Sequence, residues 1–218
     1  MRDKTKPLRW SVFLSVALCS LVMHARAYGQ TLACEPPMVE VSLAYKPAEV
    51  KNHVSTKTMT KHANSKHPTV GLYRANQRVY VRMVRAESKY TQEICIRNVY
   101  ITYSINHVID IGLEHQPGTC SFEETLKHER RHEAIHIEKA KEAEAIVLRE
   151  FSKRPLYFSG PAYQEDTKEW LGKSVDWASS VYRAFIIPAQ EAFDSPEEYR
   201  RFSLLCSADL IAKGVLQR

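Results

Sequence analysis

The sequence predicts an α+β chain: an N-terminal antiparallel β-sheet, then a long helix and a C-terminal helical bundle. Three observations predict it. Apolar residues alternate with a period of two in stretches between Val39 and Leu113. From Ser121 they recur at helical spacing, and no Gly or Pro interrupts them until Pro155. Beyond Pro155, two more amphipathic segments follow, the second opened by Asp194-Ser195-Pro196-Glu197-Glu198. The 218 residues fit one domain over 28–218, β-rich over 28–118 and helical over 119–218, behind a removable leader.

The leader is residues 1–27. MRDKTKPLR is basic, WSVFLSVALCSLVM is an apolar run of 14 residues, and Ala25-Arg26-Ala27 fits a cleavage site. The run is too short to span a bilayer comfortably. A signal peptide places the mature protein in the periplasm or outside the cell, with no stable membrane span. It also removes five basic residues and one acid, so 26 basic and 24 acidic residues remain, a net +2 rather than +6. That balance makes no case for a nucleic-acid partner. Hydrophobic content of 44% and charged content of 26% exclude a disordered chain or a multi-span membrane protein.

The elements follow in order. Val39, Val41, Leu43 and Tyr45 alternate with smaller or polar residues, which predicts a half-buried strand. Residues 50–70 are polar, carry His53, His62 and His67 without regular spacing, and read as an irregular connection. QRVYVRMVRA predicts a strand, and EICIRNVYITYSINHVIDIGL predicts two more. Gln116-Pro117-Gly118 marks a turn. Ser121 and Glu124 fit a capping box opening a helix over about 122–151. Its inner stripe is Phe122, Leu126, Glu129, Glu133, Ala140, Val147 and Phe151. QEDTKEWLGKSVDWASSVYRAFII predicts the next helix, ended near Pro188, and YRRFSLLCSADLIAKG the last, stopped at Gly214.

Four cysteines remain in the mature chain: Cys34, Cys95, Cys120 and Cys206. In an exported protein that number predicts two disulfides. The pairing expected is Cys95 with Cys120, which bracket one compact segment, and Cys34 with Cys206.

The chemistry lies in HERRHEAIH, residues 128–136. It carries H-E-x-x-H twice: His128, Glu129 and His132, then His132, Glu133 and His136. Histidines four apart share a helix face and can aim nitrogens at one cation. The glutamate after the first can take a proton from water beside that cation. His128 and His136 lie about 12 Å apart along a straight helix, so the three histidines do not converge on one ion. The helical wheel places Glu133 and His136 nearer the stripe centre, which leaves the copy in use open.

The stretch TCSFEETLKHERRHEAIHIEKA resembles the metal-binding helix of the bacterial secreted zinc-dependent protease family, whose members are zincin-like. The resemblance is specific over about residues 119–140. It implies a zincin-like fold, a Zn2+ cofactor held by His128 and His132, and Glu129 as the catalytic base, with His136 beside the site as the alternative register. The metzincin extension is absent, because Glu138 stands ten residues after His128. A third ligand is therefore open. Glu165, Asp166, Glu169 and Glu191 on the next helix are candidates, as are His107 and His115. The expected function is an exported zinc-dependent hydrolase acting on a peptide or protein substrate. The alternative is a non-catalytic metal-binding or partner-binding envelope protein.

Overall fold

The computed structural model describes residues 33–64, 68–153, 155–207 and 211. The expected signal peptide, His67 and Gly214 lie outside the described residues. The elements are β1 (Met38–Tyr45), β2 (Glu49–Val54), α1 (Thr56–His62), β3 (Gly71–Ser88), β4 (Glu93–Gly112), α2 (Cys120–Phe151), β5 (Tyr157–Ser159), α3 (Tyr163–Phe193) and α4 (Pro196–Leu205).

One five-stranded sheet is built around β4. β3 pairs antiparallel along one of its edges, from Gly71 opposite Ile111 to Ser88 opposite Glu93. The other edge is shared end to end by β5, β1 and β2, which meet β4 at 93–95, 98–105 and 108–112. β1 and β2 run parallel to β4, so the expected antiparallel sheet is corrected to a mixed one. Alternating burial fixes which face of a strand is apolar and is silent on its direction. The two strands expected over 93–112 are one strand of 20 residues. A register shift between Val84 and Arg85 accommodates an extra residue in β4 near Arg97, so the polar interruption there does not end the strand.

Residues 50–70 hold more order than their polarity suggests. β2 adds to the edge through backbone pairing, and the Asn52 amide donates to the carbonyls of Ile111, Gly112 and His115 at 3.1, 2.8 and 3.0 Å. α1 follows, capped by the Ser55 hydroxyl, which accepts from Thr58 N–H at 3.2 Å. A short edge strand satisfied by main-chain and amide bonds needs little apolar alternation, which hides it from pattern reading.

α2 and α3 pack on one face of the sheet. Val99, Ile101, Tyr103 and Ile105 of β4 meet Ala140, Ala143, Val147 and Phe151 of α2 and Ala178, Tyr182 and Ile186 of α3. A second cluster joins Ala48, Ile109 and Ile111 to Phe122 at the start of α2. α2 begins at Cys120 with Thr119 as its N-cap, not Ser121. The Ser121 hydroxyl is engaged with His115 Nδ1 at 2.9 Å. The turn before the helix uses Gly118 at φ +83°, a conformation glycine adopts freely. α3 runs through Pro188 to Phe193. The proline removes one backbone donor but does not end the helix.

The disulfides are Cys34–Cys95 and Cys120–Cys206, which corrects the expected pairing. Cys95 and Cys120 sit near the start of β4 and at the start of α2, with most of the length of β4 between them. Closeness in sequence therefore misleads. No helix among the described residues is long and apolar enough to cross a membrane.

Candidate metal centre

Between the two apolar clusters, the middle of α2 buries polar side chains. Thr125, Glu129, His132, Glu133 and His136 are all buried. Burying such groups is costly unless each is partnered, so each contact there carries information.

Glu133 is tied to the frame. Its Oε1 accepts from Ala48 N–H at 2.6 Å and its Oε2 from Arg130 at 2.6 Å. Ala48 lies where Lys46-Pro47-Ala48 separates β1 from β2, so the carboxylate takes a backbone donor that the broken strand leaves over. His136 turns inward. Its Nε2 meets the Tyr182 hydroxyl, and its ring packs against Tyr73 and His107. Burial, with His107 beside it, lowers its pKa from 6.5 to about 4. His107 accepts or donates through Nδ1 to Tyr73 Oη at 2.5 Å, and burial lowers its pKa as well. The second H-E-x-x-H copy thus builds buried packing through Glu133 and His136.

The first copy faces elsewhere. His128 Nε2 and His132 Nε2 are 3.1 Å apart. Asp194 Oδ1 lies 3.3 Å from the first and 3.0 Å from the second. These three residues form a group that could hold a metal ion, their ligand atoms all within 4.8 Å of one another. A tetrahedral zinc with bonds of 2.0–2.1 Å spaces its ligands about 3.3 Å apart. Two imidazole nitrogens and a carboxylate oxygen at 3.0–3.3 Å therefore fit three corners of that tetrahedron.

No family model, curated protein or solved structure matches the chain.

Phe193 stacks on His128 and meets His132 edge-on, each at a centroid distance of 4.8 Å. Tyr73 stacks on the other ring, His132, at 6.2 Å. Burial would lower the His132 pKa, but hydrogen bonds with Asp194 and Gln190 and the charges of Glu129 and Asp194 raise it above its ordinary value. Burial likewise pushes Asp194 up, but the two histidines outweigh it and hold the carboxyl far below the usual range. The opposed shifts are those of an imidazole–carboxylate ion pair, an arrangement found at functional sites and in structural ion pairs alike.

Glu129 is 6% exposed and sits against the start of β3, with the charges of His128 and His132 acting on it. Burial raises its pKa, opposed by His128, His132 and the Tyr73 N–H, which donates to Oε2 at 2.8 Å. Gly71 makes room for it. A Cβ built there would stand 2.6 Å from Glu129 Oε1 and closer still to the Thr125 methyl.

The proposed third-ligand positions are elsewhere. Glu165, Asp166 and Glu169 are exposed in the first turns of α3, and Glu165 and Glu169 pair with Lys168 and Lys173. At 1.5 Å per residue they lie on the order of 40 Å along α3 from Asp194. Glu191 is exposed near the other end of α3. His107 and His115 are buried on Tyr73 and Ser121. His53 and His62 are exposed away from the group. Asp194 is the residue that sequence reasoning missed, having taken it only as the start of the last helix. It is the C-cap of α3 as well, and its place between two predicted helices was the available signal.

Proposed function

We propose that the protein is an exported zinc-dependent peptidase. The observation that carries this reading is the triangle of His128 Nε2, His132 Nε2 and Asp194 Oδ1, with the buried carboxylate of Glu129 next to His128 in the chain. Two imidazoles and one carboxylate suit zinc and leave a coordination position for substrate. Zinc supplies a Lewis acid for a carbonyl oxygen and acidifies water.

The chain's own groups supply the rest. Glu129 Oε2 is fixed on the Tyr73 N–H, and Oε1 accepts no hydrogen bond among the described residues. A carboxylate held by one oxygen and open at the other can take up a proton and give it back. Oε1 takes a proton from water as the water oxygen adds to the peptide carbonyl. It returns that proton to the amine nitrogen as the C–N bond breaks.

A peptide substrate is supported by β3, which has β4 on one side and no strand on the other among the described residues. Tyr73 N–H points out of that edge to Glu129, so an extended chain added along β3 passes the site. Export is supported by the two disulfides, which persist in oxidising compartments.

Metal analysis joined to one substitution tests the reading. The oxidised protein is expected to hold one zinc, and His132→Ala to lose it. Glu129→Gln is expected to keep zinc and to lose about 100-fold or more of the hydrolysis of an unfolded protein substrate. Absence of stoichiometric zinc, or full activity in Glu129→Gln, overturns the proposal. Zinc without hydrolysis in the wild type selects the non-catalytic metal-binding alternative.

A further inference from the structure

Two side chains beside the triangle, Gln190 and Glu198, take no part in the proposed proton transfer. Gln190, Asp194 and Glu198 recur every four residues across the end of α3 and the first turns of α4. They stand opposite His132 and His128, which are four apart on α2. The two series run in opposite senses. Gln190 meets His132, Asp194 meets both histidines, and Glu198 meets His128.

Gln190 fixes its own orientation. Its Nε2 donates to the His132 backbone carbonyl at 2.8 Å. A carbonyl only accepts, so the amide oxygen is the atom that faces His132 Nδ1. Nδ1 must then carry a ring proton, so Nε2, which faces His128 and Asp194, is the nitrogen whose lone pair a cation would take in place of its proton. Glu198 lies on the corresponding side of the other histidine, with Oε1 3.7 Å from His128 Nδ1, an ion-pair distance beyond direct hydrogen-bond reach. Glu198 is itself held by Arg201, whose Nη2 donates to Oε1 at 2.6 Å and Nε to Oε2 at 3.1 Å.

We infer that Gln190 and Glu198 are positioning residues: each holds the Nδ1 side of one histidine so that both Nε2 atoms face the point that Asp194 faces. The inference rests on the metal-binding reading of His128, His132 and Asp194 and does not require peptidase activity. Outer partners of this kind set ring tautomer and orientation, and their loss costs about 10–100-fold in metal affinity. Gln190 makes two direct contacts and Glu198 a longer one, so Gln190 carries the larger share.

The test is titration of the metal-free protein with Zn2+ and Co2+ against a competing chelator, with thermal unfolding of each metal-free variant as the check on folding. Gln190→Leu is expected to weaken binding about 10–100-fold and to alter the visible absorption of bound Co2+. Gln190→Glu, whose carboxylate still accepts from Nδ1–H but cannot donate to the His132 carbonyl, is expected to restore part of the affinity and to bring the Co2+ spectrum back toward wild type. A role confined to packing would not be rescued by that change. If Gln190→Leu fails to fold, Glu198→Ala carries the same test at a part-exposed position, with a smaller loss. Wild-type protein that binds neither metal overturns the site itself. Wild-type binding with unchanged affinity and Co2+ spectrum in both variants overturns this inference alone.

Discussion

Gly71 is where the smallest side chain matters most. Any Cβ there meets Glu129 Oε1 at 2.6 Å and the Thr125 methyl. Gly71→Ala is expected to cost about 1–3 kcal/mol through overpacking and to displace the Glu129 carboxylate. Activity should fall further than zinc content, since the atoms nearest the added methyl belong to Thr125 and Glu129 rather than to His128, His132 or Asp194. Chemical denaturation and metal analysis of the variant check both parts. His136 gives a second prediction. Its pKa is about 4 in the fold against 6.5 ordinarily. Below pH 6.5 the unfolded chain takes up a proton that the folded chain refuses, so stability falls as pH drops from about 6.5 to about 4. The total is at most on the order of 3 kcal/mol, with buried His107 adding in the same direction. Urea midpoints at pH 7 and pH 4.5 should differ less in His136→Gln than in the wild type; an equal difference counts against this assignment.

At the scale of elements, α4 matters through what it holds. The Cys120–Cys206 bridge ties the start of α2 to the chain just past α4, and Glu198 lies on the segment so held. The Cys34–Cys95 bridge ties the N-terminal segment to the opposite end of β4. Removing either is expected to cost about 2–4 kcal/mol. Only Cys120→Ser with Cys206→Ser should also weaken metal binding, which parallel unfolding and metal titrations of the two double variants check. α2 was the most legible element, because Phe122, Ala140, Val147 and Phe151 keep one apolar stripe over its length. Glu129 and Glu133 on that stripe already signalled buried partners. The partners themselves, the N–H groups of Tyr73 and Ala48, were not legible, since they come from strand edges brought up by the fold. β2 and the direction of β1 were hidden for a related reason: edge pairing is written in backbone hydrogen bonds that no side-chain pattern records.

For the whole molecule, the sheet-then-helices order was readable from the switch in apolar period between Leu113 and Ser121, whereas the disulfide pairing was not. A strand as long as β4 separates cysteines that are close in sequence and leaves distant ones adjacent. The same limit hid Asp194. A candidate ligand 62 residues away in the chain has no local signature beyond being a carboxylate at a helix junction. That separation has a mechanical consequence. A cation shared by His132 and Asp194 is a clasp between the first long helix and the place where the second hands over to the last. Its strength rises with the supply of free ion. Stripping the ion with a chelator should therefore loosen the C-terminal end well before it disturbs the strands.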